Sequence, residues 1–292
     1  LLQYPRPEFV FQDTKGYYWH NLRGMHRENS DTPLEKWGLT KSNTYSYTSF
    51  PPVIDYMNNK IWLANTTYGG IIKTNLDGSN ITAFNDVDNP ILYNVITTFA
   101  INNSNNDVWI GTTKGLTRLT GKVWTNFDLS NSPVSWIVES VADGYGNVFF
   151  YSDYGTHMYN NNTLSWTTWD LTNSPLQYYS YGFGKDNTGK AYFGGHQQIA
   201  VYDNGTWSNM NLSALGAAAI TVVNDIAFDS QNNLWLATEE GVWKYDGTNW
   251  TNWTSSNSAI VHNHVSSIVI NKNDSVFVSS YNAQGTFYGG IS

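Results

Sequence analysis

An aromatic residue returns about every 43 positions along this chain. It stands at Trp19, Trp62, Trp109, Phe149, Tyr192, Trp235 and Phe277, at steps of 43, 47, 40, 43, 43 and 42 residues, and the seven copies fill all 292 residues. Around each lies the same phrase: a short apolar segment, a polar turn, the aromatic segment, a Gly-containing turn, a third segment and a Trp-led fourth. The clearest copy runs Asn224-Asp-Ile-Ala-Phe-Asp229, Ser-Gln-Asn-Asn, Leu234-Trp-Leu-Ala-Thr238, Glu-Glu-Gly241-Val-Trp-Lys-Tyr-Asp246, Gly-Thr-Asn and Trp250-Thr-Asn-Trp253. A period of 40–45 with four short strands per unit is that of a β-propeller blade. A helical solenoid is excluded, because no segment carries a 3.6-residue apolar face and β-branched and aromatic residues dominate throughout.

The turns agree with this reading. Asp13-Thr-Lys-Gly16, Asp143-Gly-Tyr-Gly146, Asp186-Asn-Thr-Gly189 and Asp229-Ser-Gln-Asn232 separate the first and second strands. Asp opens such turns by accepting backbone N–H bonds, and Gly or Asn closes them at positive φ; this explains the Asp spacing without calcium. Asp77-Gly78, Asn204-Gly205 and Asp246-Gly247 mark hairpins between the third and fourth strands. The seventh unit stops at Ser292 without its fourth strand, whereas Leu1–Tyr4 precede the first strand of unit one. The expectation is a single all-β domain over 1–292, a seven-bladed propeller of four-stranded blades whose ring closes when residues 1–4 complete the last blade and remove an open edge.

The phrases Leu234-Trp-Leu-Ala-Thr238 with Gly241-Val242, and Val108-Trp-Ile-Gly-Thr112 with Gly115-Leu116, resemble the repeat of the two-component regulator propeller family. The linkers Trp124-Thr-Asn-Phe-Asp-Leu-Ser-Asn-Ser-Pro133 and Trp166-Thr-Thr-Trp-Asp-Leu-Thr-Asn-Ser-Pro175 resemble those of its secreted or surface members. The likeness is good in units three and six, partial in two, four, five and seven, and weak in unit one. It implies a bacterial propeller in a secreted, cell-surface or periplasmic setting. It carries over no catalytic residue, since the motif positions are strands and turns. Unlike the hybrid sensors, this chain has one propeller and no kinase.

Composition narrows the partners. Lys and Arg number 15 against 23 Asp and Glu, a net charge of −8, which argues against nucleic acid and anionic membranes, both of which need clustered cations. The longest apolar run, Leu215 to Val223, is half a membrane span. There is no cysteine, so disulfides and thiol chemistry are absent. The chain begins at Leu1 without Met or a signal peptide, as a processed or trimmed form would, and the expectation is a part of a larger multidomain chain or assembly.

Propellers bind on the face formed by the blade-to-blade linkers and the loops between second and third strands. Counting three residues past the proline of each linker gives Tyr93 after Pro90, Trp136 after Pro133, Tyr178 after Pro175, Asp55 after Pro52 and Glu8 after Pro5, with His262 three past Ala259. One expectation is a ring of aromatics, one His and two carboxylates at the channel mouth, suited to a sugar or other neutral polar ligand. The alternative at the same positions is packing of one blade on the next. His262 and His264 stand two apart and would share a strand face, but two His do not make a zinc site, so no cofactor is expected beyond a divalent cation on that pair. Glu239 and Glu240 read as a solvated turn, and Glu139 and Asp225 as hydrogen-bonding groups on inner strands.

No Gly-x-Ser-x-Gly elbow, phosphate loop, His-Glu-x-x-His or sialidase box occurs. The nine Asn-x-Ser/Thr sequons follow from an Asn- and Thr-rich composition. The sequence therefore favours a non-catalytic binding module for a glycan or protein ligand. Two alternatives remain open: a metal-assisted lyase or hydrolase similar in architecture to the streptogramin B lyases, and a structural subunit of an extracellular assembly.

Overall fold

The computed structural model describes residues 10–12, 18–20, 26–27, 53–55, 57–64, 69–76, 79–87, 91–152, 155–177, 182–270 and 273–281. Among these there is no helix, and the strands form seven antiparallel sheets in chain order, one per repeat. The first is β1 (Val10–Gln12), β2 (Tyr18–His20) and β3 (His26–Arg27). The second is β4 (Val53–Asp55), β5 (Lys60–Ala64), β6 (Ile71–Asn75) and β7 (Thr82–Phe84). The third is β8 (Ile96–Asn102), β9 (Asp107–Thr112), β10 (Gly115–Thr120) and β11 (Val123–Phe127). The fourth is β12 (Ile137–Ala142), β13 (Asn147–Ser152), β14 (Gly155–Asn160) and β15 (Ser165–Trp169). The fifth is β16 (Gly182–Lys185), β17 (Ala191–Gly194), β18 (Gln198–Asp203) and β19 (Thr206–Asn211). The sixth is β20 (Val223–Phe228), β21 (Leu234–Thr238), β22 (Gly241–Tyr245) and β23 (Trp250–Trp253). The seventh is β24 (His264–Ile270) and β25 (Val276–Tyr281).

Each full sheet is a simple meander whose first strand is innermost and whose fourth lies at an open edge. Neighbouring meanders stack through their first strands, β8 on β12 and β20 between β16 and β24. This is the β-propeller blade. The chain falls into two compact units: β4–β15 in one, and β16–β25 with β1–β3 in the other. Within the latter β1 lies beside β24, so the first and last repeats are neighbours. The strand expected from Leu1–Tyr4 lies outside the described residues.

The repeat's wording is turn chemistry. Gly70, Gly115, Gly155 and Gly241 open the third strand of sheets two, three, four and six at φ +83°, +136°, +120° and +104°. A Cβ there would meet a fourth-strand carbonyl, at 2.1 Å from Phe84 O, 2.2 Å from Phe127 O and 2.2 Å from Trp253 O, so only glycine fits. The preceding Thr closes the same loop: Thr112 Oγ1 donates to Gly115 O (3.0 Å) and accepts from Lys114 N, and Thr238 Oγ1 does the same with Gly241 O (2.8 Å) and Glu240 N.

In sheets four, five and six the first turn is held by an Asp. Asp143 accepts from Tyr145 N and Asn147 N, both at 2.8 Å; Asp186 from Thr188, Gly189 and Lys190 N; and Asp229 from Gln231 and Asn233 N. Asp229 also takes Trp235 Nε1 (2.9 Å) and Lys244 Nζ (3.1 Å). Its burial pushes the carboxyl pKa up, but these donors outweigh burial and hold it down at about 2.

Apolar residues of adjacent first and second strands fill the space between blades. Trp109, Val134, Ile137, Val148 and Phe150 form one such layer between sheets three and four, all fully buried. Between sheets five and six the spacing is set by glycine. A Cβ on Gly182 would lie 2.8 Å from Asp225 N and Cα, and one on Gly184 2.9 Å from Ile226 O. We expect Gly182→Ala to force β16 and β20 apart and lower stability by about 1–3 kcal/mol, read as a lower urea midpoint; an unshifted midpoint would show that the two strands are not so close.

Candidate functional site

The linker face is shaped by a repeated irregularity in the innermost strand. β8, β12, β20 and β24 each carry a bulge, between Ile96 and Thr98, Ile137 and Glu139, Val223 and Asp225, and Val265 and Ser267. The residue after the bulge bonds to an adjacent blade. In one unit Glu139 Oε1 accepts from Thr98 Oγ1 (3.0 Å) and Ser140 N (2.9 Å). In the other Asp225 Oδ2 accepts from Ser267 Oγ and Ile268 N, both at 2.9 Å, and Oδ1 from Ile226 N. Glu139 and Asp225 thus join inner strands, the hydrogen-bonding role their position indicates.

Tyr93 and His262 occupy one repeat position. Each is followed by an Asn whose carbonyl takes an N–H from the preceding blade's loop glycine, Gly70 N to Asn94 O (2.8 Å) and Gly241 N to Asn263 O (2.7 Å). The same Asn side chains accept from Asp86 N and Ser255 N. Trp136 is different. Its linker is two residues shorter, so it directly precedes Ile137 and shares the register of Val95 and His264, not of Tyr93.

Tyr93 carries the Lys114 ammonium 4.0 Å above its ring, a cation–π contact that occupies one face. Trp136 stands 48% exposed, and among the described residues no ring packs against it. His262 is half-buried. Asp55 does not join this face. It lies at the far end of β4, 4% exposed, and accepts from Asn58 N (2.9 Å) and Asn58 Nδ2 (2.8 Å). That is the turn role of Asp143, Asp186 and Asp229: in sequence Pro52 stands three residues before its turn Asp, whereas Pro133 stands ten before Asp143, so counting from Pro52 overshoots to the wrong end. Tyr178 and Glu8 lie outside the described residues.

Glu239 and Glu240 are not a solvated turn. Glu239 Oε1 accepts from Asn224 Nδ2 (2.8 Å), and its Oε2 pairs with His264 Nδ1. Asn224, the bulge residue of β20, also donates to Val265 O (2.9 Å), which ties sheets six and seven together at the polar cluster. Glu240 turns the other way and accepts from Thr221 N (3.1 Å) and Thr221 Oγ1. Next to it Gln177 brackets the backbone of His196 with both ends of its amide. His264, offered with His262 as a metal pair, is therefore engaged by a carboxylate. Among the described residues no group of three or more His, Asp or Glu is placed to hold a metal ion.

Residues 219–240, which span β20, the Asp229 turn and β21, match the model of the family described as two component regulator propeller. No curated protein matches the sequence. Among solved structures, the chain is similar to the extracellular domain of the one component system BT4673 from B. thetaiotaomicron, with a TM-score of 0.70 at 15% identity over 96% of this chain and 38% of that one. The extracellular domain of the hybrid two component system BT3049 from the same organism gives 0.71 at 16%, over 99% of this chain and 40% of that one. Virginiamycin B lyase from Staphylococcus aureus gives 0.65 at 14%, over 95% of this chain and 94% of that one. At these identities the likeness shows the propeller fold. The chain spans about two-fifths of the length of the sensor domains it resembles.

Proposed function

We propose that the chain is an extracytoplasmic recognition module, without catalysis of its own, that binds a glycan or protein ligand on its linker face as part of a larger sensor or surface protein. The observation that carries this reading is Trp136. Two of the repeat-defining indoles, Trp62 and Trp109, are packed away at 3% and 0% exposure, whereas Trp136 presents about half of its surface at the linker end of sheet four. An indole held out to solvent on a rigid strand end has the geometry of a stacking platform or hot spot. The extracellular sensor domains among its structural neighbours support the setting, and the low charge of the surface suits a neutral polar ligand.

Trp136→Ala should lower the melting midpoint by only about 1–3 °C, because about half of the side chain already lies in solvent. It should weaken binding by 10- to 100-fold, the equivalent of about 1–3 kcal/mol. Glycan-array and peptide-array profiles of the two proteins provide the measurement. An unchanged profile would sink the reading.

One observation favours a second reading. The Glu239–His264 pair, backed by Asn224, is a competent acid–base arrangement, and the lyase neighbour has nearly the same length. A metal-assisted lyase or hydrolase would need further ligands beyond that pair; turnover abolished by both Glu239→Gln and a chelator would favour it over binding.

A further inference from the structure

A pocket of about 190 Å³ opens at the turn end of sheets five and six, the end opposite the linkers. Its walls are aromatic. Tyr192 of β17 meets Phe228 of β20 at 4.8 Å between centroids, and Tyr245 of β22 stacks on Trp250 at 4.7 Å and 26°. Met210 and the buried Leu234 complete the apolar side. The rings are fixed from behind: Tyr192 OH donates to Asp186 Oδ2 (3.2 Å), and Tyr245 OH to Gly247 O (2.8 Å).

The rim is polar and partly unspent. Asp246 accepts both of its turn N–H bonds, from Thr248 (2.8 Å) and Asn249 (2.7 Å), on Oδ1, and the Asn249 side chain also bonds the carboxyl, which keeps lone pairs on Oδ2 for a further donor. Asn233 donates its amide to Asp229 and Asn232 accepts from Asn187 N, so the Asn233 carbonyl and the Asn232 amino group remain for a ligand. The backbone N–H groups of Asn249 and Thr248 hold the Asp246 carboxyl below its usual range, which keeps it an acceptor and disfavours an anionic guest. Rings that offer a flat apolar wall, beside a carboxylate and two amides that offer acceptors and a donor, match a molecule with C–H on its face and hydroxyls at its edge. The volume lies below the ~300–1,000 Å³ of drug-sized ligand sites, so the guest is of single-ring size.

We propose that this pocket is a second binding site, at the turn end of sheets five and six, that takes one neutral pyranose ring of a saccharide. Asp246 Oδ2 would accept from ring hydroxyls, the Asn232 amino group would donate, and Tyr192 or Tyr245 would stack on the sugar's C–H face.

The test is a titration of the whole chain with methyl β-D-glucopyranoside and methyl β-D-galactopyranoside, followed by amide and side-chain NMR shifts. Saturable shifts centred on Asn232, Asn233, Asp246 and Gly247 are expected, with Kd in the range of about 1–10 mM for so small a ligand. Asp246→Asn keeps the Oδ1 cap and should melt like the parent, yet lose about tenfold or more in affinity. Trp136→Ala should leave this binding unchanged, which separates the pocket from the linker-face reading. The proposal is overturned if neither sugar gives saturable shifts, if the shifts centre on the linker face and vanish in Trp136→Ala, or if a tetramethylammonium probe shifts these residues while both sugars do not.

Discussion

Replacing Trp109 with alanine should lower stability by about 3–5 kcal/mol, the largest loss expected of any single side-chain truncation here. The residue is fully buried between sheets three and four. Its ring lies 4.9 Å from Tyr159, 5.2 Å from Phe150, 5.5 Å from Phe127 and 6.4 Å from Trp166, in tilted, stacked and edge-on arrangements that aromatic quadrupoles favour. Arg118 caps the cluster, 5.4 Å above the Trp109 ring, and donates to Tyr159 OH at 3.0 Å. Rigid rings on four strands cannot collapse into the void that alanine would leave, so the cavity contribution adds to the lost transfer energy. Exposing the Arg118 stem also weakens its approach to Asp107, now 4.0 Å away. Trp109→Phe is the control. The indole N–H has no hydrogen-bond partner, so phenylalanine removes volume without orphaning a donor and should lower stability by about 1–2 kcal/mol. In urea melts the two variants should separate clearly. Equal losses would mean that the layer relaxes around any smaller ring and that the aromatic geometry carries no special stability.

The parts of this structure legible in the sequence are the local ones. Thr112, Gly115 and the aromatic before them, or Asp229 and Asn233 after it, define turns whose hydrogen bonds run over two to four residues, so the spacing along the chain is the spacing in space. Inner-strand positions of Glu139 and Asp225 were equally legible, because the repeat fixes which strand they occupy. What failed to show depends on loop length and on pairing across blades. Asp55 reads as a linker residue only if every linker carries its proline at the same place, and it does not. Trp136 slips two positions from Tyr93 because its linker is two residues shorter. Glu239 and His264 are 25 residues apart and meet only because sheet seven stacks on sheet six. A further signal lies in the repeat itself: Trp62, Trp109 and Trp235 each face a cation across the hairpin, Lys73, Arg118 and Lys244, at 5.1, 5.4 and 4.9 Å. These basic residues stand at the same repeat position, so a scan for repeated Lys or Arg opposite repeated Trp would have found them.

Acid should destabilise the fold well above the range in which carboxylates titrate, and His157 is the reason. It sits in β14 at 2% exposure, with Nε2 2.9 Å from Ser152 Oγ and Nδ1 3.1 Å from Thr168 Oγ1. Burial lowers its pKa to about 4, against about 6.5 in the unfolded chain. The folded protein thus holds a neutral imidazole while the unfolded chain takes up a proton below pH 6.5, so stability falls as pH drops. The contribution is complete above pH ~6.5 and is lost progressively down to pH ~4, where the folded form protonates as well. Between pH 7 and pH 4.5 the loss amounts to about 2.5 kcal/mol. Asp229 acts later: its carboxyl, held near 2, withdraws stability only as pH falls below ~4. His157→Gln retains a side chain able to bond both hydroxyls but cannot titrate. It should be somewhat less stable than the parent at pH 7, and the gap should close or reverse by pH 4.5. Urea midpoints at the two pH values give the double difference directly. Parallel pH dependences for parent and variant would show that His157 is already protonated in the folded state, or that water reaches it between the strands of sheet four.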